Sequence, residues 1–336
     1  MFSKFAALNR VDPFLVVLVS VVTAASFFPV HGAAVPVAKA IANLAIMLLF
    51  FLHGAKLSRQ AILAGIVSWR VHVLVLAATF VLFPALGLLI YAAHLPIDPA
   101  LLTGLLFLTL LPSTVQSSVA FTAIAGGNVA AAVCSASLSN IAGIVVTPLL
   151  TGVLIDGSAG VTTDSLQAIA FQLLLPFIAG HLCRPLLSGF LNRYKTLVSK
   201  VDRGSILIVV YNAFSAAVVA GIWNRLDIAD LVILLLANAV LLGAVMLSTW
   251  SAARWFKLSV EDQIVVLFCG SKKSLVSGVP MASALFPAAL AGPIILPLML
   301  FHQLQLMVCA VVAQRYRSHG ETVALNSAVA GSGPLR

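Results

Sequence analysis

Leu110-Leu111-Pro112-Ser113-Thr114-Val115-Gln116-Ser117-Ser118 and Phe268-Cys269-Gly270-Ser271-Lys272-Lys273-Ser274-Leu275-Val276-Ser277-Gly278-Val279-Pro280 are polar interruptions inside two apolar runs of membrane-spanning length. A bilayer crossing takes about 20 mostly apolar residues. In hydrocarbon every backbone amide and carbonyl needs an internal partner. Proline removes a donor and clashes with the preceding turn, and glycine weakens the helix further. Each stretch therefore reads as a helix broken in mid-membrane, with hydroxyls and amides beside the break and, in the second, two lysines. The fold class that follows is an all-α polytopic membrane protein.

The composition agrees. Of 336 residues, 61% are hydrophobic and only 9% charged, with a mean hydropathy of +1.12; a soluble domain is about a quarter charged. Ten spans are expected near 12–30, 37–55, 70–93, 100–125, 128–154, 165–184, 204–223, 229–251, 262–287 and 291–313. Lys4 and Arg10 ahead of the first apolar run resemble the start of a signal peptide, but the run is long enough to span and is read as a retained helix. Cys134, Cys183, Cys269 and Cys309 are scattered, with no CxxC pair, so neither a zinc site nor a disulfide framework is expected.

The net charge of +9 is explained by orientation. With the N-terminus inside, the interior segments hold Lys56, Arg59, Arg70, Arg184, Arg193, Lys195, Lys200, Arg203, Arg254, Lys257, Arg315 and Arg317, among others, while the exterior ones hold only Lys39 and Arg225. The positive-inside rule then puts both termini in the cytoplasm. Attraction to anionic lipid accounts for the basic face, and nucleic acid is not an expected partner. The segments Lys56 to Trp69 and Phe190 to Arg203 mix basic and apolar residues and read as short interfacial helices. The Gly-, Ser- and Ala-rich tail, 318–336, reads as disordered.

The breaks fall in the fourth span of the first five and the fourth of the second five. Five is odd, so a second five-span unit enters the membrane inverted, and paired broken helices in inverted repeats point to a substrate site at the midplane. The expected units are 1–156 and 157–317. The bland alternative is two proline kinks whose serines bond their own backbone; the lysines argue against it. A buried ionised lysine costs about 3 kcal/mol or more and is a functional candidate by default. The ten acidic residues all fall in loops, tails or span ends, which removes the usual proton-relay acid and the strongest sodium ligand. The candidate substrate- or ion-binding residues are Pro112, Ser113, Thr114, Gln116, Ser117, Ser118, Gly270, Ser271, Lys272, Lys273 and Ser274. Asn128, Ser135 and Ser139 join them because their spacing puts them on one helix face that can meet the first break, although small residues there suit tight helix packing equally well. His302, Gln303 and Gln305 read as helix–helix hydrogen-bond partners, and no metal or catalytic constellation is expected.

At these residues the chain resembles the bile acid:sodium symporter family, and more closely its branch of proteins similar to the seventh member of solute carrier family 10. The matching stretches are FFLHGAKLS (Phe50–Ser58), TFVLFPALG (Thr79–Gly87), LLPSTVQSSVAFTAIAGGNVAAAVCSASLSN (Leu110–Asn140), VDRGSILIVVYNAFS (Val201–Ser215), FCGSKKSLVSGVPMA (Phe268–Ala282) and LPLMLFHQLQLMVCA (Leu296–Ala310). The resemblance implies ten spans, an inverted repeat of five, and a panel domain beside a core domain in which spans four and nine cross. In the better-known bile acid branch a serine–asparagine pair and a glutamate supply sodium ligands. Here the pair falls on Ser117 and Ser118, the glutamate on Phe268 and the glutamine after the break on Lys272. The span-five hydroxyls fall on Ala132 and Ala136, and a span-three glutamine falls on Thr79. The sodium machinery is thus largely absent, and no cofactor is expected beyond that questionable Na+. An ammonium, with Lys272 the first candidate, is expected to stand in for the ion.

The resulting expectation is a secondary transporter for a small organic anion, working by alternating access. The alternative is a protein of this fold that regulates ion homeostasis or envelope assembly with little transport. An intramembrane enzyme is disfavoured, because paired acids and an oriented Ser/His arrangement are lacking.

Overall fold

A computed structural model describes residues 13–56, 68–155, 169–224 and 226–331, and these are helical apart from short connections. The helices are α1 (Pro13–Phe27), α2 (Ala34–Lys56), α3 (Trp69–Ala77), α4 (Phe83–Ala92), α5 (Pro99–Leu110), α6 (Gln116–Ile124) and α7 (Val129–Leu154) in the first half. The second half holds α8 (Leu175–Arg193), α9 (Lys195–Val219), α10 (Ile228–Trp255), α11 (Val260–Gly270), α12 (Leu275–Leu285) and α13 (Ala288–Gly331). Wide π turns join α3 to α4 (Ala78–Leu82) and precede α8 (Ile169–Leu174). Among the described residues, eight helical stretches are long and apolar enough to cross a membrane, and Val16–Phe27 and Pro99–Leu110 are shorter apolar helices.

α1, α2, α8 and α9 pack on one another as one layer, and the remaining helices form a second, with α9 also meeting α13. Within Val260–Leu285, which holds α11 and α12, 94% of an apolar 18-residue window is buried, against 17% of the corresponding window of Phe171–Leu191. The ninth span is therefore the centre of the molecule, and α8 is at its edge. Leu186, Ile228 and Phe27 are among the large apolar side chains left exposed, 86%, 82% and 76%. In water such a surface would be a liability; here it is the surface that meets lipid tails.

α2 and α8 approach until their backbones touch. A Cβ on Gly54 would run into the carbonyl of Phe177, and one on Gly180 into the carbonyl of Phe51. This is the small-residue packing that membrane helices use. Gly180→Val is expected to push the pair apart at a cost of about 1–3 kcal/mol or more, read as a lower melting temperature in detergent. An unchanged melting temperature would mean the two helices are not packed this closely.

Two expectations change. Phe190 to Arg203 is no separate interfacial helix: α8 runs to Arg193, Tyr194 makes the turn, and α9 begins at Lys195. The basic residues there sit on the ends of two long helices, which packing continues past the apolar segment. Residues 57–67, the other such segment, lie outside the described residues. The tail continues α13 as helix to Gly331, because Glu321 to Ala328 is mostly Ala, Val, Leu and Glu with no proline.

Candidate functional site

The break after α5 and the break after α11 lie against each other, and each supplies part of the hydrogen bonds the other lacks, with α7 and α13 supplying the rest. The carbonyls of the first break account for themselves one by one. Thr109 O and Leu111 O accept from Lys273 Nζ at 2.8 and 2.6 Å. Leu110 O accepts from Thr147 Oγ1 at 2.7 Å. Pro112 O accepts from the Ser274 amide at 2.9 Å, and Ser113 O from Asn140 Nδ2 at 2.7 Å. The Ser113 amide, which a continuous helix would send to Thr109 O, goes to Ser139 Oγ at 3.0 Å.

The second break is served in return. Ser118 Oγ donates to Phe268 O at 3.1 Å, Ser113 Oγ to Cys269 O at 2.5 Å and Thr114 Oγ1 to Lys273 O at 2.8 Å. Gln305 on α13 holds both backbone groups of Lys273, accepting from its amide at 2.9 Å and donating to its carbonyl at 3.0 Å. Ser274 then caps α12 by accepting from the Ser277 amide at 3.2 Å. Irregular backbone is tolerated at membrane depth only when buried groups satisfy it this fully.

Lys273 is the centre of this network and is 0% exposed. Its third acceptor is Thr79 O at 2.8 Å, which is available for a local reason. In the π turn the Phe83 amide bonds Ala78 O, and the next residue, Pro84, has no amide to give. Three main-chain carbonyls thus surround one ammonium, with the Phe83 ring centroid 4.1 Å away.

Of the two lysines, Lys273 and not Lys272 meets these carbonyls. Residues 271–274 are not helical, so the about 100° between neighbours on a continuous helix does not apply, and the two ammoniums reach different surroundings. Lys272 Nζ sits over the Phe121 and Phe268 rings, 4.1 and 5.3 Å from their centroids, with no hydrogen-bond partner among the described residues.

Other predicted residues separate in the same way. Ser139 reaches the break, but Ser135 Oγ bonds His72 Nδ1 at 2.6 Å. Asn128 caps α7 through Ala131 and donates to Asp262 Oδ1 at 3.0 Å. Both are one to three turns along α7 from the contact that Ser139 makes, so a shared face did not mean a shared target. Ser271 turns back to Leu267 O at 2.5 Å, and Gly270 ends α11. Asn140, Thr147, Gln305, Ser277 and Thr79 were missed as site residues. The signal available was a polar group inside an apolar helix, and for Thr79 a proline five residues on.

A cavity of about 390 Å³ opens beside the crossover, between the two layers. Thr114, Gln116, Ser117, Asn140, Ser274 and Ser277 form its polar pole, and Phe50, Ile144, Phe177 and Leu275 its apolar walls. Neither Lys272 nor Lys273 is among its lining residues. Where α2 ends and α9 begins, Lys56, Asp202 and Arg203 line it, with Lys56 Nζ donating to Asp202 Oδ2. Asp202 is only 7% exposed. This carboxylate is therefore buried although it lies near the start of a span, because α9 begins before the apolar segment and packs on α2 there.

Comparison with known proteins agrees with this architecture. The model of the SBF-like CPA transporter family matches residues 12–318. The protein named "Putative symporter YfeH" of Escherichia coli K12 is 50% identical over 313 residues, 92% of this chain and 94% of its own. An uncharacterized Pseudomonas aeruginosa protein, PA2026, is 50% identical over 324 residues, 96% and 97% of the two chains. The zebrafish (Danio rerio) protein named sodium/bile acid cotransporter 7 is 29% identical over 316 residues, 90% and 93% of the two. With the family model covering all but the chain's two ends, this multi-pass membrane protein belongs to the SBF-like CPA transporter family and is a transporter of the bile acid:sodium symporter kind.

Proposed function

We propose that the chain moves a small organic anion across the bacterial inner membrane by alternating access, and that Lys273 takes the place of a coupling cation. The observation that carries the first part is the cavity itself. It is of ligand size, since pockets for small molecules run about 300–1,000 Å³, and its polar pole is made of the groups exposed where two broken helices cross. Discontinuous helices at a midplane site are the usual construction of secondary transporters. Two inverted five-span units, rocking one layer against the other, are the motion this reading requires. With both termini cytoplasmic, the cavity mouth at Lys56 and Arg203 faces the cytoplasm.

The second part follows from ligand chemistry. Carbonyl oxygens at 2.6–2.8 Å from Lys273 Nζ satisfy a fixed cation, and the ammonium ties the π turn of the third span to the break of the fourth. A bound ion is then unnecessary for holding these elements together. We expect the purified protein to melt at the same temperature in sodium chloride and in choline chloride at matched ionic strength. A sodium site at hundredfold excess over its Kd would add about 2.7 kcal/mol, so a saturable sodium-specific rise would overturn the replacement.

Transport is tested by counterflow in proteoliposomes, screening organic anions for exchange driven by an internal pool of the same compound. Saturable exchange supports the transport reading. Its absence for every anion, with folded protein in the membrane, favours a regulatory membrane protein of this fold.

A further inference from the structure

We propose that the cavity mouth is a dedicated site for the anionic head group of the ligand, built from Lys56 and Arg203, and that Asp202 is an internal anion which the head group displaces from Lys56. The idea deepens the transport reading and takes from it only that an organic anion enters this cavity.

A second cavity, of about 250 Å³, adjoins the first and shares Lys56, Gln116, Ser199 and Asp202 with it, while adding Arg184 and Lys195. Among the described residues, four lysine and arginine side chains thus line the joined space, with Asp202 the carboxylate among them. Charge of one sign in a cleft with low-dielectric walls concentrates ions of the other.

The Lys56–Asp202 pair is incomplete. Asp202 Oδ2 accepts from Lys56, but Oδ1 is buried and has no hydrogen-bond partner among the described residues. A buried carboxylate oxygen left unmatched is unfavourable, so the pair competes poorly with an anion that is better surrounded. Lys56 keeps 35% of its side chain accessible, which lets its ammonium change partner without rebuilding α2. Arg203, the next residue after Asp202, has its guanidinium 5.5 Å from the centroid of the Phe14 ring. Stacking holds that planar group at the cavity wall, and a guanidinium is the side chain best shaped for a carboxylate, sulfonate or phosphate.

The class of ligand follows from what lies further in. Beyond the head-group site come the apolar walls at Phe50 and Phe177, and then Asn140 and Ser277 at the crossover. An organic anion with its acid at one end, an apolar body, and a hydroxyl or carbonyl at the other end matches that sequence of surfaces.

The test uses the full chain in lipid-free neutral detergent, with inorganic sulfate as the head-group probe and chloride at matched ionic strength as control. We expect sulfate to raise the melting temperature of Asp202→Asn saturably, with a midpoint at least tenfold below that of the unaltered protein. Lys56→Gln/Asp202→Asn, which removes the pair together, and Arg203→Gln/Asp202→Asn should each lose that response. An equal sulfate response in Asp202→Asn and the parent, or a response that survives Lys56→Gln/Asp202→Asn, overturns the proposal. Should Asp202→Asn not fold in low salt, sulfate must restore it, and failure to do so also overturns the site. A response to phosphatidylglycerol without one to sulfate makes it a lipid site and overturns it equally. Counterflow that proceeds with parental affinity in Lys56→Gln removes the head-group site and leaves transport standing. Sulfate binding lost as expected, with no counterflow in the parent, removes transport and leaves the anion site.

Discussion

Lys273→Met is expected to yield little or no folded protein. The substitution keeps the length of the apolar stem and deletes the ammonium that Thr79 O, Thr109 O and Leu111 O share. Water does not reach these carbonyls, since Thr79, Thr109, Leu111 and Lys273 are each 0% exposed. A buried polar group that loses its partner costs about 1–3 kcal/mol. Three such losses approach the about 5–15 kcal/mol by which a native protein is stable at all. The measurement is the monodisperse fraction after detergent extraction, followed by the melting temperature of whatever survives. Lys273→Ala adds a sharper arm. It leaves a carbonyl cage with room for a small cation, so methylammonium is expected to raise the melting temperature of that variant and leave the parent unaffected. Lys273→Met that melts within a degree or two of the parent would mean the ammonium does not hold the crossover.

Asn140→Ala should separate folding from transport. The Asn140 amide donates to Ser113 O at 2.7 Å and to Ala136 O at 3.0 Å, and its oxygen accepts from Ser277 Oγ at 2.9 Å. One side chain thereby connects the break of the fourth span to the first turn of α12, and it also lines the cavity. Removing it leaves Ser113 O without its partner beside a polar cavity that water can enter, so the stability loss is expected to be only about 1–2 kcal/mol. Counterflow should fall by more than tenfold, because a tenfold loss needs only about 1.4 kcal/mol of misplaced geometry. Asn140→Asp, which keeps the acceptor for Ser277 and loses the donor to Ser113, should remain closer to Asn140→Ala than to the parent. Counterflow that tracks the fall in melting temperature and nothing more would assign Asn140 a purely structural role.

Much of this network could be anticipated in kind but not in pairing. Pro112 and the Gly270-Ser271 stretch announce that hydrogen bonds are missing, because backbone chemistry is local. Their proximity could be argued from matching places in the two halves. Which hydroxyl answers which carbonyl could not be argued, since that depends on how the ends of α5 and α11 face each other. Ser135 and Ser139 show the limit. They are one helical turn apart on α7, yet one reaches Ser113 and the other His72. Asp202 shows a second limit. Hydropathy placed it outside the membrane-spanning segment, whereas burial against α2, and its pairing there with Lys56, bring it within the protein.

By itself, then, the amino-acid sequence determined that the chain is a bundle of membrane helices and that two of them break in the middle. It also determined that lysines, and hardly any carboxylates, accompany those breaks. These are consequences of hydropathy, of proline and glycine backbone chemistry, and of the cost of polar groups in hydrocarbon, all of which act over a few residues. Tertiary structure alone decided that Lys273 rather than Lys272 meets the carbonyls. The backbone between Gly270 and Leu275 leaves the helix, and its path there is set by Gln305, Thr114 and Pro112 from distant segments. The direction of a side chain at a break is fixed by the partners that complete the backbone's hydrogen bonds, and those partners are chosen by packing rather than by sequence neighbours.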